Sequence, residues 1–78
     1  MESYTYNQFR FVLRKLDFQR LRSRKHEIWR KVLPNGAILR VRVSHKHKRD
    51  IPKWLFYEML RQAGIDQSEF RRVLGQKK

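Results

Sequence analysis

The sequence predicts an α+β fold in the order helix, three strands, helix, helix, with the helices packed on one face of a three-stranded antiparallel sheet. Near both ends of the chain, apolar residues recur every three or four positions, which is the period of an amphipathic helix. In the central third, apolar and polar side chains alternate, which is the period of a half-buried strand. The 78 residues, 40% of them hydrophobic, predict one small domain over residues 1–78.

The first element is predicted to be a helix over Thr5–Leu16. Thr5 followed by Gln8 matches a capping box, in which each side chain satisfies a backbone donor of the partner residue. One helical face is apolar, formed by Phe9, Val12, Leu13 and Leu16. The pair Asp17-Phe18 is expected to turn the chain into the first strand.

Three strands are predicted next, over Phe18–Ser23, His26–Leu33 and Ala37–Ser44. The Asn-Gly pair at 35–36 favours a tight hairpin with a type I′ turn, because both residues tolerate the positive φ that this turn requires. In the third strand, alternation divides the core-facing Leu39, Val41 and Val43 from the outward-facing Ile38, Arg40, Arg42 and Ser44. We therefore expect a meander with one core face and one basic face.

Two helices are predicted to follow the sheet. Pro52 suits the first turn of a helix, and Gly64 is a typical helix end. Asp66 with Glu69 repeats the capping-box pattern and opens the last helix. The apolar stripes of the two helices are Leu55, Phe56, Met59, Leu60 and Ala63 in one, and Phe70, Val73 and Leu74 in the other. Residues 75–78 are expected to form a flexible tail.

The charge of the chain points to a polyanionic partner. Twenty Lys and Arg residues face seven Asp and Glu residues, which gives a formal net charge of +13. From Phe18 to Arg49 there are eleven basic residues and one acid, Glu27. Nucleic acid is the first candidate, and an anionic membrane is disfavoured because no single predicted helix is both strongly basic and strongly amphipathic. The predicted phosphate contacts are Arg20, Arg22, Arg24, Lys25, Arg30, Lys31, Arg40, Arg42, Lys46 and Lys48.

Several classes of function are disfavoured by what the sequence lacks. There is no cysteine, which excludes disulfides and thiolate chemistry and fits a cytoplasmic protein. Neither a secretory leader pattern nor an apolar run of about 20 residues occurs. His45 and His47 could join His26 as metal ligands, but the surrounding cations would repel a dication. We therefore expect neither a metal nor another cofactor.

The order of elements, in a short basic chain, resembles the double-stranded RNA-binding-domain-like fold of the HicA toxin family. The first helix ends in Leu16-Asp17-Phe18, similar to the family's leucine–polar–phenylalanine turn. The segment Lys25–Trp29 resembles the family's Gly-Ser-His-x-x-aromatic motif, and Pro34–Gly36 resembles its Pro-Asp-Gly hairpin. The most specific similarity runs from Asp50-Ile51-Pro52-Lys53 without a gap to Leu60-Arg61-Gln62-Ala63-Gly64-Ile65.

The resemblance implies a messenger-RNA endoribonuclease that needs no metal, is inhibited by an acidic HicB-type antitoxin, and uses His26 as its catalytic group. Imidazole suits RNA cleavage because it can accept or donate a proton near neutral pH. Two pairs depart from the family pattern: Arg24-Lys25 replaces Gly-Ser, and Trp54-Leu55 replaces Gly-Thr. From the residues alone, the favoured interpretation of His26 is a polar residue at the start of a strand, and the catalytic role rests on the resemblance. His45 is a candidate second catalytic group.

Other readings stay open at this stage. An RNA-binding module of the same fold without cleavage is the main alternative, and a structural or ribosome-associated basic protein is another. DNA binding is disfavoured because no predicted helix has the polar face of a major-groove reader. Trp29, Trp54 and Tyr57 could stack on bases. Alternation places Trp29 opposite His26, however, so core packing or a partner interface is the favoured role of both tryptophans.

Overall fold

The computed structural model describes residues 3–21, 26–46 and 48–75, and within them the elements follow the predicted order. They are α1 (Tyr6–Lys15), β1 (Gln19–Leu21), β2 (His26–Val32), β3 (Ile38–Ser44), α2 (Lys53–Ala63) and α3 (Gln67–Leu74). This confirms the α+β class and is consistent with a double-stranded RNA-binding-domain-like fold. The predicted first strand extended to Ser23, but Arg22, Ser23, Arg24 and Lys25 lie outside the described residues.

Helix α1 begins and ends with backbone groups satisfied as its sequence predicts. The Thr5 hydroxyl accepts from the Gln8 N–H at 3.2 Å, while the Gln8 side chain accepts from the Thr5 N–H at 2.8 Å. At the other end, the Phe18 N–H donates to the Leu13 carbonyl, and Asp17 has a left-handed φ of 69°. This is a Schellman motif, and it turns the chain into β1.

The three strands form one antiparallel sheet in the order β1-β2-β3. The prediction of a type I′ turn between β2 and β3 is wrong. Gly36 has a φ of 90°, but Asn35 does not have a positive φ. The Leu33 N–H donates to the Ala37 carbonyl, which closes a loop of three residues instead of two. A type I turn followed by a left-handed glycine is the usual geometry of such a loop.

Helices α2 and α3 begin and end close to the predicted positions. Pro52 lies immediately before the first residue of α2, and Gly64 ends the helix with a left-handed φ of 73°. The Asp66 carboxylate caps α3 by accepting from the Glu69 N–H at 2.8 Å, whereas the Glu69 carboxylate pairs with Arg72. The second predicted capping box is therefore seen as a single side-chain cap.

The core lies between the helices and one face of the sheet. Its fully buried side chains include Phe9, Val12, Leu13, Trp29, Val41, Val43, Met59 and Phe70. The rings of Tyr4, Phe9, Phe56 and Phe70 contact one another and join α1, α2 and α3. Trp29 is only 2% exposed, which confirms its predicted place in the core. None of the helices in residues 3–21, 26–46 and 48–75 is long and apolar enough to cross a membrane.

Candidate functional site

Strand register sorts the side chains of the sheet onto two faces. Trp29 pairs with Val41 and Glu27 with Val43, so these side chains point toward the helices. The pairs that alternate with them place their side chains on the other face, which the described helices leave uncovered. We call it the open face, and its described residues include Leu21, His26, Ile28, Arg30, Val32, Ile38, Arg40, Arg42 and Ser44.

The residues predicted to contact phosphates lie on both faces of the sheet. Arg30, Arg40 and Arg42 lie together on the open face with His26. Arg20 and Lys31 instead alternate onto the helix side, where Arg20 is 3.9 Å from the Glu27 carboxylate and Lys31 lies over the Phe18 ring. The remaining members are Lys46 and Lys48, exposed after β3, and Arg22, Arg24 and Lys25, which lie outside the described residues.

His26 begins β2 and lies in a groove beside α2. The groove has a volume of about 380 Å³ and is lined by His26, Arg42, Val43, Ser44, Leu55 and Gln62; we call it the His26 groove. Arg42 donates to His26 Nε2 from both Nε, at 3.2 Å, and Nη2, at 2.9 Å. Since a guanidinium can only donate, Nε2 is the unprotonated ring nitrogen in this arrangement.

The Gln62 side chain closes the edge of the sheet within this groove. Strand β3 is an edge strand, and the Arg42 N–H donates to Gln62 Oε1 at 3.2 Å. The amide thus satisfies a backbone donor that would otherwise be unpaired at the sheet edge. This bond fixes α2 beside the backbone of Arg42, so the helix forms one wall of the groove and the strand forms the other.

On the opposite side of the sheet, Glu27 is the centre of a buried polar cluster. Arg10 Nε donates to Glu27 Oε1 at 2.9 Å, and Trp29 Nε1 donates to the same oxygen at 3.0 Å. Burial raises the pKa of Glu27, but the hydrogen bonds from Arg10 and Trp29, with the charges of Arg10 and Arg20, outweigh it and hold the pKa below its ordinary value. Glu27 is therefore a buried carboxylate, ionised at neutral pH.

Arg10 connects this cluster to the end of β3 next to the His26 groove. Its guanidinium also donates to the Ser44 carbonyl and to Asn7 Oδ1. Because Ser44 is the register partner of His26, the Arg10–Glu27 pair fixes the sheet directly behind the candidate site. Sequence reasoning missed Arg10. Two features of the sequence point to the Arg10–Glu27 pair. Arg10 lies beside the apolar stripe of α1, and Glu27 is the single acid within the basic segment from Phe18 to Arg49.

His45 does not join His26. His45 Nδ1 lies 3.9 Å from Glu27 Oε2 and is therefore directed to the helix side of the sheet. His47 lies outside the described residues. Among the residues that the structure describes, no group of three or more His, Cys, Asp or Glu side chains could hold a metal ion.

Two of the three aromatic residues singled out in the sequence are exposed. Trp54 is 72% exposed and Tyr57 is 46% exposed, both on α2. Of the two roles expected for the tryptophans, core packing applies to Trp29, whereas the exposure of Trp54 leaves the partner interface.

The comparisons with known proteins agree with the fold and with the motifs. A family model described as "HicA toxin of bacterial toxin-antitoxin" matches residues 7–65. This match extends from α1 to the residue after Gly64 and includes all three strands. Neither the curated proteins nor the solved structures gave a match.

Proposed function

The chain belongs to the HicA toxin family of bacterial toxin-antitoxin systems, and from this premise we propose that it is an endoribonuclease that cleaves messenger RNA with His26. The observation that carries the proposal is the His26 groove. It brings an imidazole together with the Arg42 guanidinium on a face that also bears Arg30 and Arg40. An RNA phosphate in this groove would meet a proton acceptor and a cation side by side.

The geometry supports a base role for His26. Cleavage begins when the 2′-hydroxyl loses its proton and its oxygen forms a bond to phosphorus, after which the bond to the 5′ oxygen breaks. When RNA binds, the 2′-hydroxyl takes the place of Arg42 at Nε2; Nε2 then accepts the hydroxyl proton, and the leaving 5′ oxygen takes a proton from water. The protonated His26 then returns its proton to solvent. This sequence needs only the imidazole and water.

Arg42 has two roles in this proposal. In the free protein it donates to Nε2 and sets the orientation of the imidazole ring. A guanidinium has five N–H donors, so Arg42 can also bind a non-bridging phosphate oxygen and stabilise the negative charge that grows there in the transition state. The cations Arg30 and Arg40 lie farther along the same face and would hold the flanking phosphates.

A toxin of this family has an antitoxin partner, and the open face is where we place it. The exposed side chains Leu21, Val32 and Ile38 lie on this face among the arginines. A surface of aliphatic and cationic side chains suits a protein with matching apolar and acidic groups. We propose that an acidic HicB-type antitoxin binds here and covers His26.

The test is cleavage of a long single-stranded RNA in the presence of a chelator. We expect the wild type to cleave and His26→Ala to lose activity by at least about 100-fold, the usual contribution of a positioned base. RNA binding by the two proteins should be similar. His45→Ala is the matched control, because His45 lies on the other side of the sheet, and it should retain activity.

Two outcomes would contradict the proposal. Cleavage that persists in His26→Ala would place the chemistry elsewhere. Binding without cleavage by any of the three proteins would identify a non-catalytic RNA-binding module of the same fold, with Arg24-Lys25 as the first substitution to examine.

A further inference from the structure

The outer face of α2 carries exposed aromatic rings beside the His26 groove. Trp54 and Tyr57 are three residues apart, so they lie on one face of the helix. Leu55 and Gln62, on the neighbouring face, line the His26 groove. A molecule that leaves this groove across α2 passes Glu58, which contacts Gln62, and then Trp54. We call the surface formed by Trp54 and Tyr57 the aromatic ridge.

A second groove lies on the far side of this ridge. It has a volume of about 540 Å³, and its lining includes Ser3, Tyr4, Lys53, Tyr57, Gln67 and Arg71. A concave site of this size can hold one nucleotide-sized group. Cations and hydrogen-bonding side chains line it beside an aromatic ring. The ridge therefore separates two grooves that both contain basic residues.

The open face and the outer face of α2 expose different types of apolar side chain. Among the described residues, the exposed large apolar side chains on the open face are all aliphatic: Leu21, Val32 and Ile38. Those on α2 are both aromatic. Aliphatic side chains pack against a protein, whereas an aromatic ring also stacks on any nucleobase, because every base has a π face. The ridge can therefore stack on unpaired bases, which the aliphatic side chains of the open face cannot do.

The charge around the ridge favours the same occupant. Lys53 precedes Trp54 and is exposed, and Arg71 lies across the second groove. The nearest acid on the helix, Glu58, is paired with Arg61. Together with the net charge of +13, this arrangement attracts the backbone of a nucleic acid toward the exposed rings.

We propose that Trp54 and Tyr57 form a base-stacking platform, which holds an unpaired segment of RNA as it leaves the His26 groove and extends toward the second groove. This proposal rests on the proposed function, since it assumes that RNA occupies the His26 groove. It adds a preference: the bound RNA is single-stranded next to the scissile phosphate, because a base within a duplex would first have to be unpaired and unstacked before it could contact the ring.

The test measures RNA binding in a His26→Ala background, so that cleavage plays no part in the result. The probes are an oligouridylate and an RNA duplex of the same length. We expect Trp54→Ala to weaken oligouridylate binding about tenfold, the effect of one lost stacking contact, and to leave duplex binding unchanged. Trp54→Phe should retain most of the affinity. Val32→Ala is the matched control, because Val32 is also exposed, at 59%, but lies on the open face.

Fluorescence supplies an independent readout. In Trp54→Phe the remaining tryptophan is Trp29, which is 2% exposed and cannot stack on a base. Quenching by oligouridylate in the parent protein, and its loss in Trp54→Phe, would establish stacking on Trp54.

The outcomes separate this proposal from the proposed function. Equal losses for the single strand and the duplex in Trp54→Ala would overturn the stacking platform, as would unchanged affinity for both, which would leave Trp54 to a protein partner. In either case the ribonuclease proposal would stand. If the parent protein bound neither RNA, both proposals would fall.

Discussion

At the scale of single residues, His26 and Glu27 show how one strand serves both function and stability. They are neighbours in β2, so their side chains point to opposite faces of the sheet. His26 faces the groove and contacts Arg42, while Glu27 is buried and accepts from Arg10 and Trp29. A substitution of Glu27 therefore acts on the site only through the position of the strand.

The lowered pKa of Glu27 predicts how stability changes with acid. The folded state binds the Glu27 proton less tightly than the unfolded state, so this carboxylate stabilises the fold fully above its unfolded pKa of about 4.3. That contribution is lost as the pH falls through the lower folded value. We expect the wild type to unfold at higher urea concentration than Glu27→Gln near neutral pH, and the difference to shrink below about pH 4.

Urea titrations at several pH values, read by far-ultraviolet circular dichroism, would measure this difference. Glu58→Gln is the control, because Glu58 is a partly exposed carboxylate paired within α2, and it should change stability little at any pH. A gap between wild type and Glu27→Gln that stayed constant down to the acid transition would contradict the assigned role of Glu27.

At the scale of elements, the connection between β2 and β3 determines which residues meet in the site. A two-residue loop at Asn35-Gly36 would have placed Val41 and Val43 on the same face as His26. The observed three-residue loop pairs Leu33 with Ala37 and places these valines with Trp29. A shift of one residue reverses the faces of a strand, so burial of the core favours the observed register.

The left-handed conformation of Gly36 makes this loop testable. A Cβ at Gly36 would meet no atom within 4 Å, but its φ of 90° is unfavourable for any residue with a side chain. We expect Gly36→Ala to lower the free energy of unfolding by about 1–2 kcal/mol. Gly75→Ala is the matched control, because Gly75 also has open space but an ordinary φ of −68°, and it should be neutral or slightly stabilising. Equal effects of the two substitutions in thermal unfolding would contradict this account.

The element scale also shows what the sequence could predict. The apolar periods of three to four and of two gave the order of helices and strands, because burial selects those periods directly. The contact between Arg42 and His26 depends on the register, which a prediction based on the Asn-Gly pair alone got wrong. The predicted faces of Trp29 and Val41 are incompatible with the two-residue type I′ loop, so combining the two predictions would have excluded the wrong register. The Arg10–Glu27 pair depends on how α1 lies across the sheet, which no local pattern encodes.

At the scale of the whole molecule, the charge that favours RNA opposes folding. Arg30 and Arg40 lie directly opposite each other on neighbouring strands of the open face. Like charges in such a pair are destabilising, and the net charge of +13 adds a longer-range repulsion. A bound polyanion would remove both penalties. The free protein should therefore be less stable than it would be without these repulsions. It should gain stability when salt screens the charges.

Arg40→Glu tests this conflict, because it converts a repulsive cross-strand pair into an attractive one. In low salt, we expect the variant to be more stable than the wild type by about 0.5 kcal/mol or more, and the gain to disappear near 1 M salt, where charges are screened within about 3 Å. Its RNA affinity should fall, with a shallower dependence on salt. Lys48→Glu makes the same change in net charge outside the sheet and should gain less stability. Thermal unfolding and RNA titrations over a series of salt concentrations would measure both effects. If Arg40→Glu lost stability in low salt, Arg40 would be stabilised by contacts within the fold. The basic residues of the open face would then not lower the stability of the protein.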